Sequence, residues 1–246
     1  MATKYIRKTG SDANLGTNAT TDAVLTIARG VAVSANDDIL DIGVGTWAEN
    51  ISSRRHYKGV SYFKTIISAV TSGWATTMAF TNIRVNSISG ANHYGGNYTF
   101  TDAWCDCSSS ASTSYWFAAC TVITTRSILT GNSLRQYPLY NVTFPSSSSV
   151  LYNLTSASSY IFLVPSTVSM RNCIVYANLS FNVNSDASAF VVEEYNCWYS
   201  GGTIGIKPNG VFNATSLNDI DPLFKNAAGF DFRLNDNSPC IGAGHV

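Results

Sequence analysis

Leu139-Tyr-Asn-Val-Thr-Phe144, Tyr160-Ile-Phe-Leu-Val164 and Cys173-Ile-Val-Tyr176 are short β-branched and aromatic runs parted by Ser- and Asn-rich bends. Runs of this length, bounded by turn residues and lacking a 3.6-residue period, read as strands. The pattern extends upstream through Phe80-Thr-Asn-Ile-Arg-Val85, Tyr98-Thr-Phe100 and Thr121-Val-Ile-Thr124, and downstream to Phe190-Val-Val192. Asparagine marks many of these runs, at Asn82, Asn97, Asn141, Asn153, Asn172 and Asn196, with Cys120 filling one slot. The marks recur on average about every 19 residues, and a strand repeat near that length is the pattern of a solenoid. Asparagine suits the corners, because it tolerates the left-handed conformation and hydrogen-bonds locally. A sandwich of hairpins would use Asn-Gly or Asp-Gly turns, and Asn209-Gly210 is the only such pair. The Ser-rich patches 108–114 and 146–149 read as loops, so residues 1–246 form one domain.

One helix is expected, near the start. Thr20 or Thr21 caps it, Asp22 sits in its first turn, and Val24, Ile27, Ala28 and Val31 fall on one face across 21–35. Gly30 weakens it by roughly 1 kcal/mol relative to alanine, so packing must hold it. The turn Asn36-Asp37-Asp38 follows, and Ile39-Leu-Asp-Ile42 begins an extended segment.

Two terminal segments sharpen this reading. Lys4-Tyr-Ile-Arg-Lys-Thr-Gly-Ser-Asp-Ala-Asn-Leu-Gly-Thr17 resembles the opening of right-handed parallel β-helix proteins of the pectate-lyase-like superfamily. Asp38-Ile-Leu-Asp-Ile-Gly-Val-Gly-Thr-Trp-Ala-Glu-Asn-Ile51 resembles their first coil. Asp221-Pro-Leu-Phe224, Asp231-Phe-Arg-Leu234 and Ser238-Pro-Cys-Ile-Gly-Ala-Gly244 are similar to their closing motif. The resemblance implies an all-β, single-stranded right-handed parallel β-helix solenoid with a short N-terminal capping helix. Residues 1–36 would hold the first strand and the helix, 37–218 the coils, and 219–246 a segment closing the far end, making a complete unit. The superfamily includes lyases, hydrolases, epimerases, adhesins and viral spikes, so the fold alone names no activity.

Composition narrows the function. Fifteen basic residues balance fifteen acidic ones, which disfavours a nucleic-acid partner. Only 12% of residues are charged, about half the ~25% usual for a globular domain. The start has no apolar run of a signal peptide, and no stretch approaches a spanning helix, so neither export nor membrane insertion is expected. Cys105, Cys107, Cys120, Cys173, Cys197 and Cys240 are then expected to be reduced and structural, with no metal or cofactor.

Enzymes of the resembled superfamily act on polysaccharides along the outer face of the middle coils, with carboxylates, calcium, Lys or Arg. Between Cys107 and Ser185 this chain has no Asp or Glu, and only Arg126, Arg135 and Arg171 as cations. The weak catalytic candidates are therefore Asp102 and Asp106, flanking Trp104 on one face of a strand, with Arg126 a coil later. Trp104, Tyr115, Trp116, Trp198 and Tyr199 are candidates to stack on sugars or anchor an interface. Arg54, Arg55 and Lys58 form a candidate docking patch for an acidic partner.

The expected function is a non-enzymatic structural protein of a phage particle, either a capsid decoration (cement) protein or a tail-appendage subunit. It would be assembled in the host cytoplasm and displayed on the virion surface as a homotrimer with other virion proteins, in possible contact with surface glycans. The alternatives are a polysaccharide lyase or hydrolase (a depolymerase) and a glycan-binding adhesin.

Overall fold

The computed structural model describes residues 1–71, 77–87, 93–94, 96–106, 117–118, 121–131, 139–140, 143–147, 149–153, 160–163, 167–177, 182–184, 189–201 and 213–244. Within them the chain passes again and again through three parallel sheets, two of nine strands and one of five. In each, a strand pairs in parallel with the strand one coil later. In the first sheet one continuous register runs Tyr57, Phe80, Phe100, Thr124, Ser146, Met170, Glu193, with partners 20 to 24 residues apart. The protein is thus a single-stranded right-handed parallel β-helix, as expected.

The coil is a little longer than the asparagine spacing implied, because the asparagines occupy different places in it. Asn97 opens the strand Asn97–Thr101, and Asn153 ends Val150–Asn153. Asn82 and Asn172 are true corners with positive φ, whereas Asn196 follows one; Asn141 lies outside the described residues.

Alternation along each strand puts one face inside. In the second sheet the inward register is Trp47, Ile67, Val85, Cys105, Leu129, Leu151, Val175, Trp198, all nearly inaccessible to solvent. In the first sheet the rings of Tyr57, Phe80 and Phe100 stack in turn, 5.6 and 5.2 Å apart and within 14° of parallel. Each such ring, taken fully from water, stabilises the fold by about 1.5–3 kcal/mol.

The corner between the first and second sheets repeats with little variation. Asn82, Asp102, Arg126, Asn172 and Tyr195 all have φ between 46° and 56°, a left-handed conformation that costs non-glycine residues roughly 1–2 kcal/mol. What offsets this cost is a ladder on the next residue of each coil. Ser127 Oγ accepts the Ala103 N–H, Ser149 Oγ the Ser127 N–H, Asn196 Oδ1 the Cys173 N–H and Ser216 Oγ the Asn196 N–H, at 2.9–3.2 Å. These polar side chains sit at the edge of a dry core with their hydrogen-bonding groups satisfied.

The helix is shorter than its periodicity predicts, Ile27–Ala32 rather than 21–35. Its N-cap is Thr26, whose Oγ accepts the Arg29 N–H, and Glu49 accepts the N–H groups of Ile27 and Ala28. Upstream, Asp12 takes the Leu25 and Thr26 N–H groups, Asn18 Oδ1 those of Thr20, Thr21 and Asp22, and Asp22 those of Leu15 and Thr17. Side chains thus claim many of the donors of 15–26 and hold that stretch in turns. Gly30, a weak helix former, is there for contact: a Cβ would lie 2.7 Å from Ile6 Cδ1. The helix covers the first coil with Ile27 packed into the core.

The segment after Asp219 folds back beside the coils. Phe224–Asn226 and Asp231–Leu234 form an antiparallel pair around the short 3-10 turn Ala227–Gly229. This strap lies along the outer face of the second sheet. Phe224 touches Tyr176 at 5.7 Å, and Phe230 and Phe232 reach Trp104, several coils earlier, at 5.5 and 6.2 Å. Outward Trp104, Ile128, Val150 and Ile174 are apolar, so burial against the strap is favourable there.

Candidate functional site

On the outer face of the second sheet, Ile66, Arg84, Trp104, Ile128 and Val150 share one register. Trp104 is 4% exposed; its Nε1 donates to Thr130 Oγ1 at 3.1 Å, and the Arg84 guanidinium lies over its ring at 3.9 Å. On one side rises the loop carrying Tyr62 and Phe63, whose rings touch at 4.3 Å, with Phe63 71% exposed. On the other side stands the strap, with Phe230, Phe232, Asp231 and Arg233. Between them lies a cleft of about 650 Å³, with Arg126 and Ser127 at one wall.

Three guanidiniums line this cleft. Arg126 binds Asp102 through Nε and one terminal nitrogen at 2.8 and 2.6 Å, and Arg233 binds Asp231 at the same two distances. Hydrogen bonding to Arg126 holds the Asp102 carboxyl below its usual range, and hydrogen bonding to Arg233 brings Asp231 down to about 2. Burial lowers the Arg84 pKa, with Asp106 opposing. Among the described residues, Arg84 Nε is the buried side-chain polar atom that makes no hydrogen bond. Burial and the Asp102 charge push the Tyr62 hydroxyl up, so it remains a neutral donor.

This arrangement presents flat apolar rings beside planar donors, which suits a sugar ring and its hydroxyls or acidic groups. Asp102 and Asp231, held low by their arginines, are ionised near neutral pH.

The structure rearranges the sequence candidates. Asp102, Trp104 and Asp106 do not share a strand face as expected. Asp102 is the left-handed corner residue, outside the strand Trp104–Asp106. Trp104 and Arg126 do meet at the cleft, with Asp102 at its rim. Trp198, a candidate for sugar stacking or an interface, is fully buried in the core, its Nε1 donating to Glu193 at 2.9 Å. Tyr199 packs on Tyr176 at 5.0 Å, and burial raises its pKa. Tyr115 and Trp116 lie outside the described residues.

The docking patch is also taken apart. Arg55 is 8% exposed and donates to the Val31 and Ser34 carbonyls, Ser34 Oγ and Asn36 Oδ1, satisfying the C-terminal end of the helix. Arg54 pairs with Asp37 at 2.8 Å, and Lys58 lies 4.0 Å from Asp41. Sequence reasoning missed Tyr62, Phe63, Arg84, Phe230 and Arg233. The available signal was Phe230-Asp-Phe-Arg233, an aromatic-charged alternation inside the presumed closing motif.

Among the described residues no group of three or more His, Cys, Asp or Glu is placed to hold a metal ion, and no helix is long and apolar enough to cross a membrane. A scan against protein-family models finds no match, and a search of curated proteins finds none. Among solved structures the chain is similar to pectin methylesterase PemA from Erwinia chrysanthemi, at 11% identity and a TM-score of 0.49, covering 97% of this chain and 94% of that one.

Proposed function

We propose that the protein is a non-catalytic β-helix subunit of a phage particle that holds a surface glycan in the cleft between the Tyr62–Phe63 loop, Trp104 and the strap. The observation that carries the binding reading is the state of the cleft's acids: Asp102 is clamped by Arg126 near the Tyr62–Phe63 pair, of which Phe63 is exposed. A carboxylate so paired orients an arginine well and exchanges protons poorly.

The particle setting rests on the sequence. A charge-poor Ser/Thr/Asn surface favours wide side-by-side packing, and a capsid decoration or tail-appendage role as a homotrimer fits a small solenoid. The native mass of the assembly, followed by imaging of labelled particles, tests this. A trimer mass with label on virions is expected; a monomer without affinity for any particle overturns it. An enzyme would instead release new reducing ends or unsaturated products from a glycan panel, and lose that activity in Asp102→Ala.

A further inference from the structure

Cys197 opens the strand Cys197–Ser200 on the outer face of the second sheet, and its Sγ donates to the Ile220 carbonyl at 3.3 Å. Cys240 lies near the end of the strap, in a turn set by Ser238. The Ser238 hydroxyl donates to the Pro222 carbonyl at 2.6 Å and accepts the Cys240 N–H at 3.2 Å. The two cysteines line one pocket of about 360 Å³ between the last coils and the strap. Both are reduced thiols, brought together from 43 residues apart in the chain.

We propose that Cys197 and Cys240 form a redox-switched disulfide that staples the strap to the solenoid. Cys240 is the partly exposed member and starts the exchange. Its thiolate attacks a small-molecule disulfide, giving a mixed disulfide on Cys240 and releasing one thiolate. Cys197, which loses its proton to the released thiolate, then attacks the Cys240 sulfur and expels the second thiol. The balance is two protein thiols and one small disulfide in, one protein disulfide and two small thiols out. The interaction between the two thiols lowers the Cys240 pKa and, with burial, raises that of Cys197, which matches these roles. Cys173 lines the same pocket but sits in the core, its Sγ bonded to the Arg171 carbonyl, which leaves Cys240 as the reachable partner.

The staple would act on the strap, which forms one wall of the aromatic cleft. In reducing surroundings the strap is held by packing and hydrogen bonds; in oxidising ones it is also tied covalently near its C-terminal end. The test is to incubate the folded full-length protein with oxidised glutathione, alkylate the remaining thiols, and map the products by mass spectrometry. The expected result is a loss of two hydrogens, a peptide pair joined through Cys197 and Cys240, and at least tenfold slower proteolysis within 219–244. Dithiothreitol should reverse all three. Cys197→Ser should leave glutathione trapped on Cys240, and Cys240→Ser should leave both positions unjoined. A stable glutathione adduct on Cys240 in the intact protein, or a disulfide joining Cys173 to either cysteine, would overturn the proposal.

Discussion

The two faces of the second sheet are made by the same strands, yet they behave as different regions of the molecule. Inward, the register from Trp47 to Trp198 is an unbroken apolar column. Outward, the neighbouring register mixes Arg84, Trp104 and Ile128, and it is covered by the strap rather than by further coils. The inner face follows from period-two alternation and has one solution. The outer face depends on a distant segment folding back, and the chemistry gathers where that cover leaves a gap. The apolar column and the charged, aromatic cleft thereby lie on opposite sides of one sheet.

If the division holds, the largest effect of any single change should come from inside. Phe80→Ala removes the middle ring of the Tyr57–Phe80–Phe100 stack and should cost about 3–5 kcal/mol, read as a lower urea midpoint with unchanged slope. Asn196→Ala strips the corner ladder of one rung, leaving the Cys173 N–H and the Met170 carbonyl without their partner. A loss of about 1–3 kcal/mol is expected by the same measurement. On the outer face, Phe232→Ala should cost about 1–2 kcal/mol, because that ring is only half-buried, while raising protease cutting within 219–244. An effect on global stability as large as that of Phe80→Ala would erase the distinction between the faces.

The smallest effects should come from the corner ion pairs. Asp102→Asn should change stability at pH 7 by about 0–1 kcal/mol, since the pair is well exposed. Its signature is pH dependence. The folded Asp102 carboxyl lies below its ordinary value of 3.8, so its contribution is complete above about pH 5 and is lost as pH falls through the folded pKa. His56 is lowered from 6.5 by burial and then by Lys58, so the fold favours its neutral form, and stability falls as pH drops below about 6.5. Urea midpoints at pH 7, 5 and 3 separate the two: Asp102→Asn reduces only the lower step, which Asp231 shares, and His56→Gln reduces only the upper.

The coils were legible in the sequence because strand runs and polar bends state their own period. The helix was overdrawn because its apolar spacing was visible, whereas the side chains of Asp12, Asn18 and Asp22 that hold the preceding turns act across up to 14 residues. That Trp104 and Arg126 come close together was legible from their spacing of about one coil. Tyr62, Phe63 and Arg233 were not, since only the back-folded strap and a loop from an earlier coil bring them together. Arg55 looked like a surface charge, and its burial follows from the unsatisfied carbonyls at the helix end, which no local pattern announces.

The central claim is that the outer cleft binds carbohydrate and leaves it intact. The most direct test is equilibrium binding of the intact protein and of Phe63→Ala to one panel of polysaccharides, with polymer length measured before and after. The account predicts a bound glycan whose affinity falls at least tenfold in Phe63→Ala, an exposed position whose loss leaves the fold untouched, and whose length stays constant. Shortening of any polymer by the intact protein, or binding that Phe63→Ala leaves unchanged, would contradict it.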